Sequence, residues 1–238
     1  GLERWHRKGY WEQDLVDYGT ENLKTSFGMH YLFDNSMELF SSSNFSTGTT
    51  VYQGDNRFSL RNIRFFQNKL ELKKDNDFFI RLYATHEDAG DSYDAVLTAF
   101  QLQNAAASDV DYHELYKTYW RDNISPKVES LDPSVNWLPY FDPVTQTAYP
   151  VNFTDIFNVI DNIPMDSLVA WHQQTANNAN SSHPNMGVTS FYEVGTNRFD
   201  SLFNEVISTA SVLDGGSKIV DKSALYHGHG EKIWDNDF

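Results

Sequence analysis

The clearest pattern in the chain is a run of alternating side chains between residues 21 and 33. A period of two is what a β-strand produces, because successive side chains point to opposite faces. One face would carry Leu23, Thr25, Phe27, Met29, Tyr31 and Phe33, and the other Lys24, Ser26, Gly28 and His30. The run is slightly longer than the roughly 9–11 residues with which a tilted strand crosses a bilayer.

Weaker alternation predicts three more strands in this part of the chain, over 37–47, 60–73 and 78–87. Clusters of Asp, Asn and Ser predict tight turns at 34–36 and 74–77. The stretch 48–59, which contains Gly54, Asp55 and Asn56, is predicted to be a longer loop. A fifth extended segment is predicted at 222–233, near the end of the sequence.

The predicted connections alternate in length: short, long, short and then very long. Outer-membrane barrels join their strands by short periplasmic turns and longer extracellular loops, whereas soluble meanders have loops of about 4–6 residues. We therefore predict a mainly β fold, an antiparallel transmembrane β-barrel portion made of β-hairpins with a large, partly helical extracellular loop. A soluble β-sandwich with one large insertion is the alternative.

The segment 88–220 is too long to be a structureless loop. Apolar positions at helical spacing predict helices over 110–128, 153–163 and 164–178, and Pro164 suits the first turn of the third. Thr196 or Asn197 is predicted to cap a further helix that runs to about residue 213. We therefore predict that the sequence is divided into three parts: barrel strands with short loops at 1–87, an acidic helical extracellular subdomain at 88–220, and a further barrel strand at 221–238.

Charge is unevenly distributed along the chain. Residues 1–87 contain 12 acidic and 11 basic residues, whereas residues 88–220 contain 17 acidic and 5 basic ones. Binding to nucleic acid requires clustered cations, so a nucleic-acid partner is not expected.

The composition excludes several classes of protein. Mean hydropathy is -0.54, and no stretch approaches the roughly 20 apolar residues of a helical membrane span. The chain has no cysteine, which excludes disulfides, thiolate metal sites and a cysteine nucleophile. Its first residues contain no apolar signal-peptide core, so we expect either a mature form or an internal fragment.

Several segments resemble one family in the same order along the chain. They are Tyr18-Gly19-Thr20, the stretch 46–60, Lys69-Leu70-Glu71-Leu72-Lys73, the stretches 78–83 and 87–95, His172-Gln173-Gln174, Gly215-Gly216-Ser217-Lys218, and 221–227. Together they resemble the barrel of TonB-dependent outer-membrane receptors of the carboxypeptidase-regulatory-domain type. The resemblance covers most of the chain.

This resemblance implies a location in the bacterial outer membrane, a 22-stranded barrel with a plugged lumen, and energised uptake of a bulky nutrient such as an oligosaccharide, a peptide or a siderophore-like ligand. It also implies as partners the outer-membrane lipid, a TonB complex engaged through the plug region, and a surface lipoprotein that acts as a lid. The sequence contains no recognisable plug, no TonB box and too few strands to close a barrel. We therefore interpret the chain as a barrel fragment.

One candidate metal site follows the last strand of the predicted hairpins. Asp88, Asp91 and Asp94 concentrate oxygen ligands, which Ca²⁺ favours. The other interpretation is a solvated, turn-forming strand end, and apart from this possible Ca²⁺ no cofactor is expected. His227 and His229 would share a strand face, but we identify no third ligand near them in sequence.

Aromatic residues supply the candidate ligand contacts. Trp120, Trp137, Trp171 and Tyr140, with Tyr149, could stack against a sugar or an aromatic ligand, or pack the core of the helical part. Tyr31, Phe33, Phe78 and Phe79 flank the tight turns, where an interfacial aromatic girdle would lie.

Motifs of catalysis are not found in the sequence. It contains no Gly-x-Ser-x-Gly elbow, no phosphate-binding P-loop and no His-Glu-x-x-His helix. No enzyme is therefore predicted. The alternative to a transporter is a soluble α+β module that binds carbohydrate or protein. A glycoside hydrolase comes third, since the pairing of its two carboxylates is spatial and leaves no sequence motif.

Overall fold

The structure is a computed structural model that describes residues 6–33, 36–75 and 77–220. It is a mixed α/β fold with antiparallel sheets, 36% helical and 33% strand. The predicted antiparallel hairpins are confirmed, but helix exceeds strand, so the expectation of a mainly β fold is too narrow. The residues described form no closed barrel. The further strand predicted at 221–238 lies outside them, as do His227 and His229.

Four long strands form the main sheet in the order β1-β2-β3-β4, each antiparallel to its neighbour. They are β1 (Glu21–Leu32), β2 (Met37–Gln53), β3 (Arg57–Lys74) and β4 (Phe78–Asp88), after a short helix α1 (Glu12–Leu15). A two-residue strand, β5 (Tyr93–Asp94), pairs with the beginning of β3 beyond the end of β4. Within the described chain, no strand pairs with the outer edge of β1 or of β4.

The prediction of a longer loop at 48–59 is wrong. Strand β2 continues to Gln53 and β3 begins at Arg57, so a tight turn joins them. In this turn the Gly54 N–H donates to the Asn56 carbonyl at 2.9 Å, and the Tyr52 and Phe58 rings stack across the strands. The three hairpin connections are therefore all short. The alternation of loop lengths, one basis of the barrel prediction, is not present here.

An irregularity interrupts the β2–β3 pairing about one quarter of the way along the strands from this turn. The register shifts between Gly48 and Thr50, and Asn62 on the partner strand adopts a φ of 54°. The Asn62 N–H donates to the Thr49 hydroxyl at 3.3 Å. Such bulges change the direction of the side chains that follow. From Gly48 opposite Ile63 to Met37 opposite Lys74, the pairing of β2 with β3 is regular.

After β5 the chain is largely helical. The elements are α2 (Ala95–Ala106), α3 (Asp109–Tyr119), a π-helix (Trp120–Ile124), α4 (Ser125–Glu129), a small hairpin of β6 (Tyr140–Asp142) and β7 (Thr147–Tyr149), α5 (Phe153–Asp161), α6 (Met165–Ala179), a 3₁₀ turn (Pro184–Met186) and α7 (Asn197–Ser208). The predicted helices at 110–128, 153–163 and 164–178 are confirmed, the first with a π-helical turn inside it. Helix α2 was not predicted. The helices of the described residues are all too short or too polar to span a bilayer.

Two compact units are present, and they do not coincide with the three predicted parts. Of the described residues, 6–9 and 103–192 form the helical unit, and 10–102 and 193–220 form the sheet unit. The end of β4 and helix α7 both lie within the predicted 88–220 subdomain, but they belong to the sheet unit. The Asp94 N–H donates to the Ser217 carbonyl at 3.0 Å, and the Tyr93 hydroxyl donates to the Leu15 carbonyl at 2.7 Å.

The core of the helical unit lies between α3 and α6. It consists of Ala107, Tyr112, Leu115, Tyr116, Ala176, Ala179 and Val188, with Trp120 packed against it. Helix α3 begins after Ser108, whose hydroxyl accepts from the Asp111 N–H, as an N-cap residue does. The segment 6–9 belongs to this unit: the Arg7 guanidinium pairs with Asp109, and the Gln103 amide donates to the Lys8 carbonyl at 2.7 Å.

Helix α7 begins where the sequence predicts and ends earlier. Thr196 caps it by accepting from the Phe199 N–H, but the helix stops at Ser208 instead of near residue 213. The chain then turns back on itself, because the Ser217 N–H donates to the Val206 carbonyl and the Lys218 N–H to the Thr209 carbonyl, both at 2.9 Å. These contacts replace the hydrogen bonds of another helical turn.

Candidate functional site

Residues directly opposite each other in the sheet share a face, so the strand register defines two surfaces. The apolar face has four consecutive cross-strand rows. They are Thr25-Phe45-Phe66-His86, Phe27-Ser43-Asn68-Ala84, Met29-Ser41-Leu70-Leu82 and Tyr31-Leu39-Leu72-Ile80. None of these sixteen positions holds Asp, Glu, Lys or Arg. Charge appears only in the bordering rows, as the Arg64–Asp88 pair at 3.8 Å on one side and as Lys74 on the other.

The opposite, polar face carries charges at the same level of the sheet. In its four matching rows, the charged residues are Lys24, Lys69, Glu71, Arg81 and Glu87. The Glu71 carboxylate accepts from both Lys69, at 3.0 Å, and Arg81. Burial by itself would raise the pKa of Glu71, but these two hydrogen bonds outweigh it and hold the pKa below its ordinary value. A depression of about 410 Å³ lies between β1 and β3 on this face, next to Ser26 and Gln67.

The apolar face is exposed in the described part of the chain. Phe27 is 66% exposed, Leu82 is 51% exposed and Leu70 is 44% exposed. Large apolar side chains scattered singly over a surface are ordinary. Here they occur in each of the four rows, with the polar Ser41, Ser43 and Asn68 among them, and grouped exposed apolar side chains mark a surface that meets another apolar phase or a partner. Over these four rows the sheet therefore has one side with charged residues and one side without them.

Aromatic residues lie along both borders of the apolar face. Phe45, Phe66 and His86 occupy adjacent positions of one row, with 4.9 Å between the ring centroids of the two phenylalanines. At the other border, the Tyr31 and Phe33 rings meet edge to face at 4.8 Å. Phe78 is also on this face, opposite Lys74, whereas Phe79 pairs with Lys73 and belongs to the polar face. Three of the four residues predicted to form a girdle therefore share the apolar face.

The candidate calcium ligands each have a separate hydrogen-bond partner. Asp88 accepts from the Gly90 N–H at 2.8 Å and Asp91 from the Asn62 amide at 2.8 Å. Asp94 accepts from the Leu97 N–H at the start of α2 and from the Asn56 amide at 2.6 Å. Among the residues that the structure describes, no group of three or more His, Cys, Asp or Glu could hold a metal ion. These hydrogen bonds agree with the alternative interpretation of the segment as a turn-forming strand end.

Polar side chains that sequence reasoning missed hold this junction together. Ser92, Thr98 and Ser217 are fully buried. The Thr98 hydroxyl lies 2.8 Å from the Ser217 hydroxyl and donates to the Asp94 carbonyl at 2.7 Å. The Ser92 hydroxyl accepts from the Arg61 N–H at 2.9 Å. The family resemblance covered the stretches that contain Ser92 and Ser217, but not Thr98. Serine and threonine carry no local pattern that predicts a pairing so distant in sequence.

The four candidate ligand-binding aromatics have different surroundings. Trp120 packs against the core of the helical unit, which fits the packing interpretation. The Trp137 indole N–H reaches the Asp132 carbonyl at 3.5 Å, and Trp171 is half-buried in α6. Tyr140 is 56% exposed and stacks on Tyr149 across the β6–β7 hairpin at 6.1 Å. Of the four, Tyr140 is the most accessible to a ligand.

A cluster around His172 is the most unusual group of side chains in the helical unit. The imidazole stacks on His6 at 4.7 Å and lies 4.5 Å from the Trp120 ring, and its Nδ1 is 2.5 Å from the Tyr116 hydroxyl. Burial lowers the pKa of His172, with a smaller contribution from His6. The neutral imidazole is therefore the form that the folded unit favours.

Stability of the helical unit should fall in mild acid. An unfolded histidine has a pKa near 6.5, so as the pH drops below about 6.5 the unfolded chain binds a proton that folded His172 resists. Urea unfolding followed by tryptophan fluorescence between pH 8 and pH 5 measures the effect. His172→Phe should remove this part of the pH dependence, whereas His113→Phe should retain it. Identical pH profiles for the native chain and His172→Phe would contradict the assignment.

Comparison with models of known protein families, with curated proteins and with solved structures found no match.

Proposed function

We propose that this chain is part of a TonB-dependent outer-membrane transporter that imports a bulky nutrient: an oligosaccharide, a peptide or a siderophore-like ligand. The observation that carries the proposal is the exposed apolar face, with four charge-free rows of side chains backed by a polar face with ion pairs. In an outer-membrane barrel the first would meet lipid and the second the lumen. The resemblance of the sequence to TonB-dependent receptors supports the transport activity and its energy source.

The dimensions of the apolar face support a membrane-spanning role. From the Arg64 row to the Lys74 row, β3 covers 11 residues, which matches the roughly 9–11 residues of a tilted transmembrane strand. Aromatic side chains at both borders correspond to the two girdles of such barrels. Strands β2 and β3 extend past this band, in the direction of their shared turn.

The proposal requires more strands than the structure describes. The smallest outer-membrane barrels use 8 strands, and unpaired strand edges favour association with further strands. The outer edges of β1 and β4 would pair with those strands. The TonB complex would act through a plug that we recognise nowhere in this sequence, and a surface lipoprotein lid remains a proposed partner.

Paired cysteine substitutions test which face meets lipid, and the absence of native cysteine makes each label unique. Leu70→Cys and Lys69→Cys are neighbours on β3 that point to opposite faces. In bilayers, Leu70→Cys should react with a thiol reagent dissolved in the lipid and resist a charged, water-soluble one, and Lys69→Cys should do the reverse. Phe27→Cys and Ser26→Cys repeat the comparison on β1.

A soluble binding module would give a different result. Its apolar face would be covered by protein, so the chain would remain in the aqueous phase and Leu70→Cys would resist both reagents. That outcome would reject the transporter proposal in favour of a soluble carbohydrate- or protein-binding module.

A further inference from the structure

Helix α5 in the helical unit exposes its apolar side. Phe153, Phe157 and Ile160 follow one another at intervals of four and three residues and so share a face. Phe153 is 65% exposed and Phe157 is 59% exposed, and α5 contains no buried residue. We call Phe153, Phe157 and Ile160 the α5 stripe. The opposite side of the helix lines an open depression of about 610 Å³ with residues 131–135.

Along the sequence on both sides of the α5 stripe, the charged residues are of one sign. From residue 128 to residue 197 the chain contains seven Asp and Glu and no Lys or Arg. Asp161 follows Ile160 directly and lies one turn beyond Phe157, so it borders the stripe. Asp166 lies in the first turn of α6, next to the exposed Met165. Exposed apolar side chains and carboxylates thus follow one another along α5 and into the start of α6.

We propose that the α5 stripe is the docking site of a protein partner whose contact segment is a cationic amphipathic helix. Its apolar side chains would cover Phe153 and Phe157, and its Lys and Arg would face Asp161 and Asp166. Docking of one apolar helix face onto another buries the i, i+4 and i+7 anchors of both, and opposite potentials steer such partners together. The α5 stripe belongs to the helical unit, and the proposed docking does not require membrane insertion.

The same charge pattern disfavours two other occupants. A helix that lies on an anionic membrane carries Lys and Arg on its polar face, and α5 carries none. A second copy of this chain would bring the same carboxylates opposite each other, and like charges across an interface oppose association. Of the three candidate occupants (an anionic membrane, a second copy and a cationic helix), only the cationic helix complements the α5 stripe and its carboxylates in both polarity and charge.

A designed peptide tests the proposal on the full chain, reconstituted in zwitterionic nanodiscs or, if it does not insert, in solution. The probe is a labelled leucine–lysine helix of about 18 residues, or five turns, and its matched control has glutamate at every lysine position. Fluorescence anisotropy measures binding, with empty nanodiscs as background. We expect the lysine peptide to bind and the glutamate peptide not to bind.

Two sets of variants locate the binding. Phe153→Ser combined with Phe157→Ser should lower the affinity for the lysine peptide at least about tenfold, because central apolar anchors dominate such interfaces. Val110→Ser, at a side chain that is 73% exposed on α3, should leave affinity unchanged. Asp161→Asn with Asp166→Asn should weaken binding mainly at low salt, whereas Asp200→Asn on α7 should not. Circular dichroism checks that the variants fold.

Several results would overturn the docking site. Equal affinity of the native chain and the double serine variant would mean that the peptide binds the acidic surface without the stripe. Stripe-dependent self-association in sedimentation velocity would identify a second copy as the occupant, and stripe-dependent binding to lipid vesicles without the peptide would identify a membrane. None of these measurements depends on the reactivity of Leu70→Cys, so this proposal and the transporter proposal can fail separately.

Discussion

Leu82→Arg is expected to destabilise the chain in a bilayer by roughly 2–4 kcal/mol, the cost of an arginine on the lipid side of a barrel strand near the bilayer midplane. Leu82 lies opposite Leu70, three rows from the Arg64–Asp88 row and two rows from the Lys74 row. A guanidinium at this position would have to leave water for hydrocarbon, and the neighbouring rows provide no carboxylate to pair with it. The free energy of unfolding from lipid vesicles in urea measures the effect.

The same strand provides graded controls for this substitution. Ile80→Arg lies one row closer to the border that holds Lys74, so the charge can reach the interface and the cost should be smaller. Tyr83→Arg lies next to Leu82 on the polar face, opposite Lys69, and should cost little in comparison. Equal effects of Leu82→Arg and Tyr83→Arg would show that the two faces meet similar surroundings, and would end the membrane interpretation.

Gly90→Ala is expected to destabilise the sheet unit by about 2–5 kcal/mol, from two sources that act together. Gly90 has a φ of +60°, which costs a residue with a Cβ roughly 1–2 kcal/mol. An added Cβ would also lie 2.5 Å from the carbonyl oxygens of Arg61 and Asn62, and relieving such an overlap typically costs about 1–3 kcal/mol. The substitution would strain the point where the chain leaves β4 beside β3.

Gly195→Ala separates the two contributions. Gly195 has a φ of +80°, but nothing lies within 4 Å of an added Cβ, so only the backbone term of about 1–2 kcal/mol applies. Urea unfolding midpoints of the two variants and the native chain give the comparison. If Gly195→Ala is as damaging as Gly90→Ala, the close approach of Gly90 to β3 does not contribute.

The hairpins of the sheet could be predicted from sequence because the signal is local. Alternation from Leu23 to Phe33 fixes both the strand and the face on which each side chain lies, whatever the rest of the chain does. The same holds for helices α3, α5 and α6, whose apolar spacing and caps lie within a few residues. Thr196 shows the same point, because a cap needs only the backbone of the next turn.

Predictions failed where a distant partner decides the structure. Residues 48–59 look like a loop because Gly, Asp, Asn and Ser are common in it, yet β2 and β3 continue through most of it as one another's partner. Helix α7 ends at Ser208 because the returning chain at Ser217 and Lys218 takes over hydrogen bonding there. Neither of these pairing segments lies close enough in sequence to be recognised from the local pattern.

The candidate site divides in the same way. The amino-acid sequence by itself determined that the strands have an apolar and a polar side, because side-chain direction along a strand is set by covalent geometry. Only the tertiary structure decided that four strands align their apolar sides into charge-free rows, that Asp88, Asp91 and Asp94 each find a different partner, and that His172 lies between His6 and Trp120. Those outcomes depend on cross-strand register and packing between residues far apart in sequence, which no local pattern encodes.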